Sequence, residues 1–480
     1  MSVLVIDVGT SSVRASVVDA DASVHNVHRV ALASTHPFQG MVEFDAAQLA
    51  RAALAVARKA LGEAGSVQGV GIAAQRASTI LWDKKTGAPL GPGIGWQDLR
   101  TTGTCLALQG RGLRLSPNQS ATKLSFLLER FDPKRERELC FGTVESFLAW
   151  TISARNLHVT DATNAAVTGL LKHDASDWDG DVLDALHIDP SLLPLIVDST
   201  GILGTADALP GAPAIAGLCG DQQASLIGQG CIEKASAKAT FGSGAMLDCC
   251  VGEVRPSFST RGPSGSIPIV AWRQAGRLTW GVEAVMLSAG TCVAWLRDGL
   301  GIIKDVRSCD AIAGSVPDAG GITFVPCFSG MGAPKWDFGA RGTFVGLSAS
   351  SSRAEVVRAV LEGIAQRGAD LLEAVEADAS IAIETLCVDG GMSANSTFVA
   401  LLAAATGRPI ALAPVTEATT LGAAFLAGVG VGMWTSLEDA SSHSTPRATI
   451  EPGARLDRAT WLEMRDRALR TVPALSMLSF

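Results

Sequence analysis

The sequence predicts an α/β protein of two domains, and three observations support that prediction. At 480 residues the chain is longer than a single hydrophobic core usually serves. Apolar residues make up 47% of it and charged residues only 18%, so there is enough apolar material for two cores. Each half opens with an apolar strand, a glycine-rich turn and a second strand. We therefore expect an N-terminal domain over residues 1–235 and a C-terminal domain over residues 236–480.

The first half begins with three strands joined by tight turns. Residues 3–6 and 13–18 are apolar strand segments, and residues 24–33 alternate loosely between apolar and polar. A helix is expected over residues 45–65, because an aspartate at its start can act as a cap and apolar residues recur at helical spacing. Residues 67–74 return as a strand. Three strands, a helix and a further strand in this order are typical of the ribonuclease H-like fold.

The second half repeats the scheme. Residues 237–251 contain two strands around a glycine turn, and residues 267–283 are expected to form a hairpin. An amphipathic helix is predicted over residues 356–375. Residues 385–405 follow as strand, glycine turn and helix. The sequence therefore predicts a second ribonuclease H-like domain with a cleft between the two, and it assigns residues 441–452 to a surface loop.

Composition excludes several classes of function. The net charge is −8 and the pI is near 5.5, which argue against nucleic acid or an anionic membrane surface as the main partner. The first residues lack a basic region, and no apolar run reaches the roughly 18 residues that a membrane span needs. The ten cysteines contain no C-x-x-C pair, so free buried thiols are expected. A cytoplasmic location is the prediction that fits these observations.

Three glycine-rich turns are candidate phosphate or nucleotide sites. Asp-Val-Gly-Thr-Ser-Ser occupies residues 7–12, Phe-Gly-Ser-Gly residues 241–244, and Asp-Gly-Gly-Met residues 389–392. Backbone N–H groups and hydroxyls in such turns can bind phosphate oxygens, and Asp7 could hold Mg²⁺ through water. Taken alone, each turn could also be an ordinary hairpin or glycine turn without a ligand. Their order across the two halves is what favours a nucleotide site.

Asp221 lies in Gly-Asp-Gln-Gln at the end of an apolar run, between two of these turns. A carboxylate there could take a proton from a hydroxyl as that hydroxyl attacks phosphorus, although a Gly-Asp pair is often only a turn. Arg76 is the first charge after another apolar run and could donate to substrate hydroxyls. Trp96 could supply an aromatic wall. For these two residues the alternatives are a surface arginine and a core tryptophan.

These residues together resemble the FGGY family of carbohydrate kinases, and most closely its glycerol kinase branch. The similarity runs nearly end to end. It includes residues 7–14, 40–43, 75–76, 96–101, 120–124, 142–146, 159–165, 216–223, 242–244, 332–334, 388–391 and 420–424.

The resemblance implies ATP-dependent phosphorylation of a polyol or sugar hydroxyl in a cleft that closes on the substrate. Asp221 matches the catalytic base, and Asp7 and Asp221 match carboxylates linked to Mg²⁺. The substrate positions that it implies are Arg76, Ala77, Trp96, Asn118, Asp221 and Gln222. The ATP positions are Thr10, Ser11, Ser12, Arg14, Gly242, Ser243, Gly244, Gly290, Gly391 and Asn395. The expected partners are ATP and a small-molecule substrate, and both a homodimer and a homotetramer stay open.

Two substrate positions depart from the family pattern. Ala77 stands where glycerol kinases carry a glutamate, and Asn118 stands where they carry a tyrosine; the chain contains no tyrosine at all. Losing a carboxylate acceptor should weaken glycerol binding, and the smaller side chains enlarge the pocket. The sequence therefore favours a C4 or C5 polyol or a small ketose, with glycerol as the alternative. An actin- or Hsp70-like ATPase and a non-catalytic sugar sensor are the remaining alternatives.

Overall fold

The computed structural model describes residues 1–415 and 418–480. The first half of the chain contains strands β1 Ser2–Val8, β2 Ser12–Asp19, β3 Val24–Ala31, β4 Ser34–Thr35, β5 Glu43–Phe44, β6 Gly69–Ala74, β7 Ile80–Asp83, β8 Gly93–Ile94, β9 Leu139–Gly142, β10 Val159–Asp161, β11 Leu195–Val197, β12 Thr200–Thr205 and β13 Ala214–Gly220. Its helices are α1 Ala46–Ala64, α2 Thr102–Gln109, α3 Ala121–Phe131, α4 Val144–Ile152, α5 Ala162–Ala166, α6 Gly180–Ala185 and α7 Asp221–Gly228.

The second half contains strands β14 Ala237–Phe241, β15 Ala245–Gly252, β16 Ile267–Gln274, β17 Arg277–Met286, β18 Thr323–Val325, β19 Thr343–Val345, β20 Leu386–Asp389, β21 Ile410–Leu412 and β22 Ala448–Ile450. Its helices are α8 Gly290–Asp298, α9 Ser308–Gly314, α10 Arg353–Ala379, α11 Ser396–Thr406, α12 Ala418–Gly430, α13 Leu437–Ser441, α14 Arg458–Arg467 and α15 Pro473–Ser476.

Two large mixed sheets organise the molecule. The first sheet has the order β12-β13-β6-β1-β2-β3, and the second has the order β16-β17-β15-β14-β20-β21-β22. In the first sheet, β1 pairs antiparallel with β2 on one side and parallel with β6 on the other. In the second sheet, β14 pairs antiparallel with β15 and parallel with β20 in the same way. This repeated order confirms the predicted pair of ribonuclease H-like folds.

Local signals in the sequence account for the main helices. Asp45 caps α1 by accepting a hydrogen bond from the Gln48 backbone N–H at 2.9 Å, and the helix ends at Gly65 with φ of 84°. The long helix α10 begins with a complete capping box formed by Ser352 and Glu355. Both helices bury an apolar face against their sheets, as their sequence periodicity predicts.

The predicted surface loop over residues 441–452 is wrong in part. Residues Ala448–Ile450 form β22, which pairs antiparallel with β21 and extends the second sheet. This strand has only three residues, and its first two are exposed. An edge strand that buries so little lacks the apolar alternation from which strands are recognised.

Helix α12 belongs to the second half of the chain but packs on the first sheet and on α7. Glycines make that approach possible: a Cβ atom on Gly217 would lie 2.7 Å from the backbone nitrogen of Ala427, and one on Gly422 would lie 2.9 Å from the Cα of Ala224. Backbones this close leave no room for side chains. The two halves of the chain therefore share a buried layer behind the cleft. Across residues 1–415 and 418–480, no helix combines the length and the apolar character that crossing a membrane requires.

Candidate active site

Parallel strands bring the two predicted metal-linked carboxylates to one edge of the first sheet. β6 lies between β1 and β13, and in the register of these strands Asp7, Ala73 and Cys219 form one row. Asp7 is thus about 10 Å, two strand spacings, from the strand that leads into Asp221. Because carboxyl ends of parallel strands meet at the same edge, both aspartates lie near the same opening.

Asp221 is the first residue of α7, and a hydrogen bond of the preceding residue holds the backbone there in place. Gly220 precedes it in an extended conformation, and its N–H donates to the Thr163 hydroxyl at 2.8 Å. That hydroxyl donates in turn to Asp161 at 2.9 Å. The Asp221 side chain stays 26% exposed toward the cleft. Burial raises the pKa of Asp221 and Arg76 opposes that rise, so the carboxylate is a better proton acceptor than an exposed aspartate.

Arg76 lies against Asp221 and reaches across to the second sheet. Its Nε is 3.7 Å from Asp221 Oδ1, and its Nη2 donates to Glu283 on β17 at 2.5 Å. Its Nη1 is buried and has no hydrogen-bond partner among the residues that the structure describes. The arginine fits here because Gly220 has no side chain; a Cβ there would lie 2.8 Å from Arg76 Cγ and Cδ. The free Nη1 is a donor that a substrate hydroxyl could satisfy.

Trp96, a predicted substrate-binding residue, is hydrogen-bonded to the first glycine turn. Its indole N–H donates to the Thr10 hydroxyl at 3.2 Å. Its carbonyl accepts from Asn118 Nδ2 at 2.9 Å and from Lys123 Nζ at 3.3 Å. Lys123 is fully buried, and desolvation lowers its pKa to about 7. A buried lysine therefore holds the backbone that carries the aromatic wall.

Of the two residues that depart from the family pattern, Ala77 is buried and Asn118 is half-buried. Ala77 is 7% exposed and has a left-handed backbone with φ of 58°, and its carbonyl accepts from the Ser120 hydroxyl at 3.1 Å. Asn118 uses its amide N–H on Trp96 and accepts from Ser116 Oγ at 3.3 Å. The Asn118 amide thus has protein partners at both ends, which weakens its case as a contact for an extra substrate hydroxyl.

The first glycine turn is the tip of the β1–β2 hairpin. The Gly9 N–H donates to the Ser12 carbonyl at 3.0 Å, which closes the turn. Thr10 and Ser11 are exposed at its tip, whereas Ser12 is buried at the start of β2. Arg14 is paired across the hairpin with Asp7, with 3.8 Å between Nη1 and Oδ2. Exposed hydroxyls beside a cross-strand arginine are suited to phosphate oxygens.

Three loops of the second half converge around the turn at residues 242–244. The Gly290 N–H donates to the Gly242 carbonyl at 2.9 Å, at the start of α8. Gly390 has φ of 86°, and a Cβ on it would lie 2.6 Å from the Phe241 carbonyl oxygen. Gly391 faces open space. Asn395 caps α11 through its side-chain oxygen, which accepts from the Phe398 N–H at 2.8 Å. The predicted nucleotide positions of this half are therefore brought together, with the oxygen of Asn395 already engaged.

Buried charges behind the cleft were missed by sequence reasoning. Lys238 Nζ lies 2.6 Å from Asp248 Oδ2, and both side chains are fully buried. The same ammonium donates to the side-chain oxygen of Gln222, a predicted substrate residue, at 2.6 Å. Glu283 stands directly opposite Asp248 on the neighbouring strand, and burial raises its pKa to about 7. Charged residues within apolar strands are a signal that could have marked them.

The donor set agrees with Mg²⁺ bound in the manner of a phosphotransferase. Among the described residues, no group of three or more His, Cys, Asp and Glu side chains is placed to hold a metal ion. Mg²⁺ in such enzymes is commonly held by one or two carboxylates, water and substrate phosphates, and not by a protein cage. Asp7 and Asp221 at one sheet edge meet that requirement.

The two ribonuclease H-like sheets and their paired glycine turns define the fold class, which is that of the sugar kinase, actin and Hsp70 ATPases. A family model described as the N-terminal domain of the FGGY family of carbohydrate kinases matches residues 2–228, and the model of its C-terminal domain matches residues 261–431. The chain belongs to the FGGY family of carbohydrate kinases. It is therefore a phosphotransferase with an alcohol group as acceptor.

Relatives cover nearly the whole chain. A glycerol kinase of Aromatoleum aromaticum is 40% identical over 98% of this chain and 99% of its own length. One of Alkalilimnicola ehrlichii is 40% identical over 97% of this chain and 98% of its own length. The crystal structure of Plasmodium falciparum glycerol kinase with ADP superposes with a TM-score of 0.89 at 24% identity, covering 100% of this chain and 99% of that one.

Proposed function

We propose that this protein transfers a phosphoryl group from ATP to a hydroxyl of a small polyol, with glycerol as the first candidate substrate and Asp221 as the general base. The observation that carries the proposal is the pairing of Asp221 with Arg76, whose Nη1 is buried without a partner in the described part of the chain. Asp221 lies in sequence between the two glycine turns proposed to bind phosphate. A base and a hydroxyl donor side by side can orient and activate an alcohol.

In this mechanism the chain's own residues position the alcohol and take its proton. Arg76 Nη1 donates to one substrate hydroxyl, and Asp221 accepts the proton of the neighbouring hydroxyl as that oxygen attacks the γ-phosphorus. Desolvation raises the pKa of Asp221, which strengthens it as a proton acceptor. The indole of Trp96, anchored on Thr10, bounds the pocket on the side of the first phosphate turn.

The phosphates of ATP are assigned to the two hairpin turns. Thr10, Ser11 and Arg14 of the first sheet, and the turn at residues 242–244 of the second, would hold them. Mg²⁺ held near Asp7 and Asp221 would neutralise charge on the transferring phosphoryl group. Gly391 leaves room for the rest of the nucleotide, because a Cβ on it would meet nothing within 4 Å, whereas Gly290 lies close against the Gly242 carbonyl.

Two considerations bear on the substrate. Relatives that are 40% identical over almost the entire chain are glycerol kinases, which favours glycerol over the longer polyol or ketose expected from the sequence. The engagement of Asn118 with Trp96 and Ser116 removes one reason for a longer substrate. Ala77 supports the second candidate, a C4 or C5 polyol or small ketose, because a methyl group replaces a carboxylate that would accept hydroxyl protons.

A substrate panel with coupled detection of ADP tests the proposal. Wild type and Asp221→Asn are assayed against glycerol, C4 and C5 polyols and ketoses, with Asp457→Asn as a matched control, since Asp457 caps α14 on the surface and asparagine also caps helices. We expect acceptor-dependent ADP release that falls by about 10²–10⁴ in Asp221→Asn only.

Each other outcome has a definite meaning. Undiminished turnover in Asp221→Asn would remove Asp221 as the base. ADP release that does not depend on any acceptor would indicate an ATPase of the actin or Hsp70 kind. Acceptor binding without ADP release would indicate a sensor. The best acceptor decides between glycerol and the longer substrates.

A further inference from the structure

We propose that Glu283, on β17 of the second sheet, is a positioning residue that orients Arg76 toward the substrate. The inference rests on the proposed function, because it takes Arg76 as the donor to a substrate hydroxyl. Glu283 lies in the second sheet and Arg76 in the bend after β6 of the first, 207 positions apart, so the hydrogen bond between them joins the two halves of the chain. The second half of the chain thereby sets the geometry of a residue supplied by the first.

The contact is buried and charge-assisted. Glu283 Oε2 lies 2.5 Å from Arg76 Nη2, and the two side chains are only 4% and 11% exposed. Charge-assisted hydrogen bonds are stronger than neutral ones, and weak solvent screening strengthens them further. Asp221 approaches Nε of the same guanidinium at 3.7 Å. With two of its three nitrogens facing carboxylates, the planar guanidinium has a fixed orientation and Nη1 is the nitrogen left for a ligand.

A second buried pair of charges lies beside Glu283 in the same sheet. Asp248 faces it from β15, and Lys238 on β14 holds Asp248 at 2.6 Å. Lys238 also donates to Gln222, whose backbone N–H donates to Asp221 at 2.8 Å.

Loss of the Glu283 carboxylate would leave Asp221 as the sole carboxylate partner of Arg76. The guanidinium would then turn toward Asp221 and withdraw Nη1 from the pocket. Binding of the polyol should suffer more than the chemical step, since Asp221 and the phosphate turns stay in place. If Glu283 had only a structural role, its replacement would lower the stability of the protein and leave the ratio of kcat to the KM for the polyol unchanged.

The test compares Glu283→Gln and Glu283→Asp with the control Glu362→Gln. Glu362 on α10 pairs with Arg358 at 2.7 Å, so the control removes a carboxylate from another arginine of the same half. In Glu283→Gln we expect the KM for the best polyol of the panel to rise at least tenfold, kcat to change less than threefold and the KM for ATP to stay constant. Glu283→Asp, which keeps the charge, should show a smaller rise, and the control none.

A binding measurement makes the result independent of turnover. Isothermal titration of the same polyol, without ATP, should show a matching loss of affinity in Glu283→Gln. An unchanged polyol KM and affinity in both folded Glu283 variants would overturn the positioning role; if Glu283→Gln does not fold, Glu283→Asp decides alone. Failure of the proposed function looks different, because wild type itself would then release no acceptor-dependent ADP.

Discussion

Replacement of Gly422 by alanine should displace the helix that carries the candidate base. Gly422 lies on α12, where its backbone contacts α7; a Cβ atom would lie 2.6 Å from the carbonyl carbon and 2.9 Å from the Cα of Ala224. Ordinary contacts of a Cβ begin near 3.4 Å. The Ala224 carbonyl oxygen would be closer still, so the two helices must separate by more than about 0.8 Å or distort, since the clashing atoms are backbone and cannot rotate away.

The expected magnitudes follow from this displacement. Overpacking of a filled core generally costs about 1–3 kcal/mol, while exchange of glycine for alanine within a helix returns up to about 1 kcal/mol. We expect a net loss of about 1–2 kcal/mol in the free energy of unfolding. Asp221 lies three residues before Ala224 on α7, and a misplacement near 1 Å can lower turnover about 10²-fold. A fall in kcat of at least tenfold is expected.

Urea denaturation and kcat with the best acceptor measure the two effects. Gly62→Ala is the matched control, because Gly62 lies inside α1 and a Cβ there would meet nothing within 4 Å. That variant should gain stability, by up to about 1 kcal/mol, and keep full activity. If Gly422→Ala behaves like Gly62→Ala in both assays, the inferred contact between α12 and α7 does not position the base.

Two further predictions concern the supports of the site. Thr163→Val removes the acceptor of the Gly220 N–H and a donor to Asp161. We therefore expect the free energy of unfolding, measured by urea denaturation, to fall by about 1–3 kcal/mol and kcat to fall at least tenfold. Thr163→Ser should restore both, and an equally inactive serine variant would refute the role of the hydroxyl. Lys123, with a pKa of about 7 in the fold against 10.5 ordinarily, should make stability depend on pH. Below pH 7 both states bind its proton; between about pH 7 and 10.5 only the unfolded chain does, so wild-type stability relative to Lys123→Met should rise with pH, by at most about 1.4 kcal/mol per unit. A difference in urea midpoints that stays flat from pH 7 to 10 would contradict the lowered pKa.

Much of the fold was predictable because its signals are local. Asp45 and Gly65 mark the two ends of α1, and the hairpin predicted over residues 267–283 appears as β16 and β17. Turn glycines and helix caps depend on backbone preferences within a few residues, so one sequence reveals them. The edge strand β22 was missed because it buries too little to leave a pattern.

In the candidate site, too, the local features were predictable from sequence and the long-range contacts were not. The chain by itself determined the two hairpin turns, the order of the elements that open each half and the placement of Asp221 directly after a buried strand, since each depends on residues close together in sequence. Only the tertiary structure decided that Arg76 meets Glu283, that Lys238 holds Gln222, and that α12 returns to the first sheet. These contacts join residues far apart in sequence. Their energies depend on burial and distance in the folded chain, and a linear pattern records neither.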